Sequence, residues 1–266
     1  MYHTRFSDTK GKLMKTKNYS KGVIKKTDAQ IFHEKTKIYS FPNSLSQRKW
    51  KASWKEIFYK GYPRFPAVSL PSPEIKANYS LKHALANRTS DRDYSSKSLS
   101  ALELSNLLYF SAGLQKQRNR IERRYYPSAG ARYPLEVYAA VLNVEGIPQG
   151  IYHYYLKSHC LERLLEPPFR KQLFSNFGQP WLKKSAVVFL ITAVFYRNEV
   201  KYGSRGYRHV LTEVGHLSQN LYLLSSSMGV SCCSVGGYVD DGVNKLLDID
   251  GLEESVVGVT VLGHPG

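Results

Sequence analysis

Four short segments of this 266-residue chain set side chains of suitable type and spacing for chemistry. In Arg88-Thr89-Ser90-Asp91-Arg92, two guanidinium groups stand four residues apart with hydroxyls between them. That pattern holds a phosphate by charge and forked hydrogen bonds, although it equally suits a solvated loop. In Tyr126-Pro127-Ser128-Ala129-Gly130-Ala131-Arg132-Tyr133-Pro134, small residues lie between two prolines. Such a stiff turn lets the backbone approach a flat ligand closely, or simply precedes a strand. Lys201-Tyr202, in KYGSRGYR, is a proton donor and acceptor pair if burial or neighbouring cations shift its pKa values; otherwise the segment is a solvated loop. Cys233-Ser234-Val235-Gly236-Gly237 reads as a turn after a helix, which either presents backbone N–H groups to a ring atom or is a plain loop.

Other candidates are weaker. Glu213 and His216 lie three apart, but a metal needs a third ligand and none is spaced for it, so capping or interhelical hydrogen bonding is the better reading and no metal is expected. Cys232 and Cys233 read as buried packing, because a vicinal disulfide is strained. The absence of GxGxxG, Walker A and GxSxG removes the commonest dinucleotide, nucleoside-triphosphate and hydrolase signatures.

Periodicity shows what must position these segments. Trp50, Trp54, Ile57 and Phe58 share one face of an amphipathic helix at 47–59, and the four-proline run GYPRFPAVSLPSPE reads as an extended surface connector. Leu81, Ala84 and Leu85 indicate a short helix. Ser100 and Glu103 form a capping box opening another, with Gly113 just past its end. Residues 116–124 read as a basic loop. Strands are predicted at 135–142, 151–156, 161–165, 186–195 and 255–262, the fourth buried on both faces. Short helices are expected at 169–177 and 240–247. The longest helix runs through about 205–228, keeping apolar steps of three and four from Tyr207 to Met228 and closing at Gly229. Helices and strands without a regular βαβ repeat argue for α+β.

Composition narrows the class. A hydrophobic content of 42% with 13% aromatics excludes a wholly disordered chain. No apolar run approaches the ~18 residues of a membrane span, and the start MYHTRFSDTKGKLMK lacks the apolar region of a secretory signal. Three cysteines cannot build a disulfide framework and fit a reducing, cytoplasmic setting. Of the net charge of +17, residues 1–60 carry +11, from 15 Lys/Arg against 4 Asp/Glu. This leader reads as a solvated flank or a partner-facing surface rather than a nucleic-acid arm, because no nucleic-acid motif accompanies it.

Together RTSDRDY, PSAGARYPLEVY, KYGSRGYRHVLTEVGHLSQNLYLL and GVSCCSVGGYVDDGVNKLLDI…VTVLGHPG resemble the SagB-type dehydrogenases, which are FMN-dependent members of the nitroreductase superfamily. The resemblance covers roughly residues 79–266, and residues 1–78 are similar to that subgroup's basic N-terminal extension. It implies an α+β sandwich whose central, mostly antiparallel sheet is flanked by helices, in a cytoplasmic homodimer with FMN at the subunit boundary. By the same resemblance, Arg88, Ser90 and Arg92 bind the flavin phosphate and pyrimidine edge, and Ser128, Ala129 and Gly130 lie against the isoalloxazine. Gly236 or Gly237 offers an amide near flavin N5, and Lys201 and Tyr202 are the catalytic pair. Many nitroreductases add a C-terminal basic residue at the phosphate. Leu262–Gly266 has none, so Arg205 or Arg208 is expected to supply that charge.

The implied reaction oxidises a peptide thiazoline or oxazoline to an azole, with Tyr202 as base, Lys201 lowering its pKa or exchanging roles with it, and dioxygen reoxidising the flavin. A peptide substrate and a cyclodehydratase are the implied partners, with no nucleic acid and no membrane. A stand-alone NAD(P)H-dependent nitro- or quinone reductase is the nearest alternative, but ping-pong hydride transfer needs no Lys-Tyr base. A non-catalytic basic binding protein is the alternative from another class. It would bind duplex DNA with steep salt dependence, and the flavin-site motifs argue against it.

Overall fold

The computed structural model describes residues 26–39, 58–74, 80–115 and 122–266. All but the last two residues of the helix expected at 47–59 lie outside the described residues, as do most of the basic leader and residues 116–121 of the basic loop. The chain divides into two compact units, 1–43 and 44–266. In the first, α1 (Asp28–Lys35) opens on a capping box: Thr27 Oγ1 accepts from the Gln30 N–H (3.2 Å), and Gln30 accepts from the Thr27 N–H (2.9 Å).

In the larger unit the proline-rich connector, expected to be extended, first turns at Tyr62–Phe65, where the Phe65 N–H donates to the Tyr62 carbonyl (2.9 Å), and then includes β1 (Ala67–Ser69). Next come α2 (Leu81–Asn87) and α3 (Ala101–Ala112), the latter on the predicted Ser100–Glu103 capping box. The short strands β2 (Leu114–Gln115) and β3 (Arg123–Arg124) pair with each other. The chain continues through β4 (Leu135–Val141), β5 (Gly150–Tyr155), β6 (Cys160–Leu165) and α4 (Arg170–Phe174). It ends with β7 (Val187–Val194), α5 (Tyr196–Tyr202), α6 (Gly206–Met228), β8 (Ser231–Val235), α7 (Asp240–Leu246) and β9 (Glu254–Gly263).

Seven strands form one sheet in the order β1-β6-β5-β4-β7-β9-β8, with every neighbouring pair antiparallel, so the α+β expectation is met. Side chains alternate across a strand, and the central strands therefore serve two cores. Leu135, Val137, Ala139 and Val141 of β4 meet Leu104, Leu107 and Leu108 of α3 and Val210, Leu217 and Leu221 of α6. Tyr138 and Ala140 point the other way, toward Leu173 of α4 and Val243 and Leu246 of α7. Each large aliphatic side chain so buried contributes roughly 1.5–3 kcal/mol relative to exposure. Residues Val187 to Ala193 of β7 are buried throughout, as predicted for a strand covered on both faces.

Arg123 and Arg124, read as part of the basic loop, form β3, and two further segments depart from the sequence reading. Lys201 and Tyr202 are not in a loop but close α5, a helix whose buried residues are the polar Arg197 and Asn198. Cys233, Ser234 and Val235 are not a turn after a helix. They belong to β8, paired along β9 from Ser231 opposite Gly263 to Val235 opposite Val259. Cys232 and Cys233 are buried free thiols, as expected.

The predicted long helix is α6, and Gly229 caps it in a left-handed conformation (φ 68°). Its buried stripe is Gly206, Val210, Glu213, Leu217, Leu221 and Ser225, an apolar row interrupted by one carboxyl group. Tyr207 and Leu211 stay exposed. The helix crosses β9 closely: a Cβ on Gly258 would stand 2.7 Å from Val214 Cγ1. Gly258→Ala should therefore cost about 1–3 kcal/mol of stability through overpacking. Gly178→Ala, where an added Cβ meets nothing within 4 Å, should stay within ~0.5 kcal/mol. Urea unfolding of both variants checks the contrast.

Candidate active site

The turn after Pro127 and the end of α5 come together. Residues Ala129–Ala131 form one 3-10 turn with Gly130 at φ 60°, and Ser128 Oγ closes it by accepting from the Tyr133 N–H at 2.8 Å. A Cβ on Gly130 would lie 2.4 Å from Tyr202 Oη and 2.6 Å from Lys201 Nζ. The bare glycine backbone is thus the floor on which the Lys201–Tyr202 pair converges. Lys201 Nζ lies 5.3 Å from the Tyr202 ring centre, and the His209 ring packs edge-on to Tyr202 at 4.8 Å.

Burial, followed by the nearby Arg132 charge, lowers the Lys201 ammonium pKa. Burial, followed by the charge of Glu213, raises the Tyr202 phenol, with Arg132 opposing. Both shifts favour the uncharged forms of the pair.

Helix α5 is moored by buried polar groups. Arg197 donates to Glu136 Oε1 (2.5 Å) and to the Tyr133 carbonyl (3.1 Å), and Arg132 Nε donates to the Arg197 carbonyl (2.6 Å). Glu136 and Glu162 clasp His153 between them at 3.1 and 2.8 Å. Burial alone would raise the Glu136 carboxyl, but His153, Arg197 and Arg124 outweigh it and hold the pKa at about 2. Burial would likewise lower His153, yet its two carboxylate partners raise it.

Glu213, the carboxyl in the α6 stripe, joins the turn to α5. Its Oε1 accepts from the Ala129 N–H (3.0 Å) and from Asn198 Nδ2 (3.4 Å). Burial raises its pKa to about 7 against the opposing hydrogen bonds. His216, one turn on, faces the Pro127 carbonyl at 3.4 Å. The Glu213–His216 pair therefore holds the turn, in line with the hydrogen-bonding reading. Among the described residues, no group of three or more His, Cys, Asp or Glu could hold a metal.

The other two segments meet at Tyr222 of α6. Arg88 caps α2 with its guanidinium 5.5 Å from the Tyr222 ring centre, and Ser90 Oγ lies 3.1 Å from Tyr222 Oη. The Ser234 N–H donates to the same oxygen at 2.8 Å, which brings the 88–92 segment beside the strand leading into Gly236 and Gly237. Asp91 ties the segment down by donating its N–H to the Cys232 carbonyl (3.1 Å) and accepting from Ser231 Oγ. Arg92 is exposed, and among the described residues neither Arg88 nor Arg92 forms an ion pair. A Cβ on Gly236 would meet nothing within 4 Å, and one on Gly237 would stand 2.9 Å from Gln179 Nε2.

The predicted residues therefore form two clusters rather than one. Glu213 and Tyr222 are nine residues apart on α6, which is ~14 Å along the axis and half a turn around it. Arg205 and Arg208 sit at the start of α6, beside the Lys201–Tyr202 end. They stand at the opposite end of α6 from Tyr222, which gathers Arg88 and Ser90. Tyr222 and Arg132 lie within the motifs, which assign them no role, and Asn198 lies outside them.

The residues present fit FMN. Arg88, Arg92 and the Ser90 hydroxyl suit a phosphate, while the Cβ face of Gly130 carries Tyr202 Oη and Lys201 Nζ, two groups able to act on a substrate beside a flavin. No helix among the described residues is long and apolar enough to cross a membrane.

Residues 85–264 match the Nitroreductase family. MJ1384 of Methanocaldococcus jannaschii, which carries the name nitroreductase, is 36% identical over 184 residues, 68% of this chain and 89% of that protein. The microcin B17-processing protein McbC of Escherichia coli is 34% identical over 134 residues, 48% of this chain and 49% of its own length. Among solved structures, a nitroreductase from Anabaena variabilis superposes with a TM-score of 0.72 at 27% identity, over 89% of this chain and 47% of that one. A chain of the E. coli microcin synthetase McbBCD complex with truncated pro-MccB17 bound gives 0.59 at 25%, over 89% and 86%. This chain thus spans about half the length of McbC and of the Anabaena chain.

Gly130→Ala should displace the two flexible side-chain ends above it while leaving the fold intact, at ~1–2 kcal/mol for the left-handed backbone. Competitive acetylation of Lys201 across pH would read the change. The amine should titrate below the ordinary lysine value in the parent and return toward that value in the variant.

Proposed function

This chain belongs to the nitroreductase family, and we propose that within it the protein is an FMN-dependent dehydrogenase that oxidises peptide thiazolines or oxazolines to azoles. One observation carries this reading: Lys201 and Tyr202, two groups able to handle a proton, converge above the Cβ-free surface of Gly130. A simple hydride-transfer reductase has no need of such a pair. The likeness to McbC, named for processing microcin B17, and to a complex solved with pro-MccB17 bound supports a peptide substrate. The azoline itself must be made by a cyclodehydratase, which is the expected partner enzyme.

Arg88, Ser90 and Arg92 would hold the FMN phosphate, Ser128, Ala129 and Gly130 would lie against the ring, and Gly236 or Gly237 would face it with a backbone N–H. When bound, FMN would supply the two-electron acceptor for the hydride lost from the ring. Tyr202 takes the acidic Cα proton of the azoline ring and passes its own phenol proton to Lys201. The direction of both shifts suits this relay: burial favours the unprotonated Lys201 amine, which can accept, and the protonated Tyr202 phenol, which can donate. The separation of the two clusters on α6 supports a homodimer, in which one copy brings Arg88 and Arg92 and the other brings Gly130 and the Lys-Tyr pair to one FMN. The setting is the cytoplasm.

Purified protein should be yellow with FMN, and its flavin should bleach anaerobically on addition of an azoline peptide. Bleaching by NADPH alone would favour the nitro- or quinone-reductase reading, to which the name of MJ1384 lends weight. A colourless chain that takes up no FMN would exclude both. Lys201→Ala and Tyr202→Phe should each retain flavin yet lose ~10²–10⁴ in turnover, the usual worth of general base catalysis. Unchanged turnover in both variants rejects the assignment. Arg88→Ala should weaken FMN binding without altering the folding midpoint, measured by equilibrium dialysis and by urea titration.

A further inference from the structure

Glu213 is the one acid in the buried stripe of α6, 2% exposed among Val210, Leu217 and Leu221. A buried carboxylate requires a compensating cation or a full set of donors, and Glu213 forms no ion pair with Arg124, whose nearby charge offsets only part of the burial cost. Its Oε1 accepts from the Ala129 N–H and from Asn198 Nδ2, and the Ser128 hydroxyl also favours the carboxylate. Glu213 Oε2 has no hydrogen-bond partner, and neither does Asn198 Oδ1 of the same two contacting side chains, although Asn198 is fully buried. Two bare acceptor oxygens cannot satisfy one another. A hydrogen on one of them can, and it converts the contact into a carboxylic acid–carboxamide pair with one bond in each direction.

We propose that Glu213 is a positioning residue that holds a proton in the resting protein, shares it with Asn198, and so latches α5 and its Lys201–Tyr202 end to the 128–130 turn.

Facing Glu213 from the turn come the Ser128 hydroxyl and the Ala129 N–H. Arg124 of β3 lies near enough for its charge to favour the carboxylate, and the Tyr126 phenol lies near both. From α5 come Asn198 and Tyr202, with Arg132 beside Tyr202, and α6 itself carries His209 and His216. Burial outweighs the favourable groups, so the net shift is upward, to about 7. A proton on Glu213 also removes the negative charge that would oppose ionisation of Tyr202. That consequence rests on the proposed role of the Lys-Tyr pair, whereas the latch does not.

The sign follows from linkage. A carboxyl raised from 4.5 to about 7 stabilises the closed form fully below about 4.5 and loses that contribution as pH climbs to about 7. The test is amide exchange on the purified 266-residue chain, with no substrate present, read as the protection factor at Ala129. In the parent, protection should fall about tenfold per pH unit between about 5 and 7 and then level. Glu213→Gln keeps a donor for Asn198 Oδ1 and an acceptor for the Ala129 N–H at every pH, and keeps both histidines, so its protection should be flat. A flat parent profile, or a variant profile that falls in parallel with the parent, overturns the latch.

If the variant does not fold, carboxyl carbon NMR of the parent decides. A glutamate titrating near 7 sustains the proposal, and titration of every glutamate below about 5.5 defeats it. Because flavin bleaching by an azoline peptide is a separate experiment, failure of the latch leaves the dehydrogenase reading standing, and the converse also holds.

Discussion

The seat of α6 on the sheet, where Val214 meets the bare backbone of Gly258, fixes the position of both residue clusters. A helix of 23 residues is a rod of ~35 Å, and it moves as a unit unless it is kinked. Glu213 reaches from its first half to the 128–130 turn and to α5, while Tyr222 gathers Arg88, Ser90 and Ser234 from its second half. The apolar contacts of Val210, Leu217 and Leu221 supply the binding energy of the helix to the sheet. The polar groups on other sides of the rod are then delivered at set heights and azimuths. Packing and chemistry are divided between faces of the same element.

A second kind of cohesion works beneath α5. Arg197, Glu136, His153 and Glu162 form a continuous buried hydrogen-bonded chain running from the helix across β4 and β5 to β6. Such chains contribute little net stability compared with well-packed hydrocarbon, because desolvation offsets most of the attraction. They are directional, however, and tolerate few alternative arrangements. A short helix that must present Lys201 and Tyr202 at one spot is better located by hydrogen bonds of fixed geometry than by a greasy contact free to slide.

This division explains what could be read in the sequence. α3 announced itself through Ser100, Glu103 and Gly113, β7 through an unbroken apolar run, and α6 through its period and Gly229, because each is built by local or periodic rules. α5 was invisible, since the residues it buries are Arg197 and Asn198 and no apolar stripe betrays it. β8, made of Ser, Cys and Val, carries little strand preference of its own and exists because β9 offers it a partner. The motif residues of the site were legible one by one. Their grouping was not, because it depends on contacts such as Ala129 with Glu213, 84 positions apart. Tyr222 gave no signal at all, as one aromatic within an amphipathic helix.

The connector before α2 has a role that its three-residue strand conceals. β1 covers the rim of β6, supported by the Arg163 N–H donating to the Pro66 carbonyl (2.8 Å) and the Leu70 N–H to the His159 carbonyl (3.3 Å). Val68 packs into one core and Tyr62 into the other, pinning the segment on both sides of the sheet. Were it to peel away, the backbone of β6 from Cys160 to Glu162 would present open N–H and C=O groups, a ready template for strands of other molecules. The proline-rich stretch thus guards the sheet against self-association, and its many prolines, which cannot donate to a further strand, make it a rim that does not propagate.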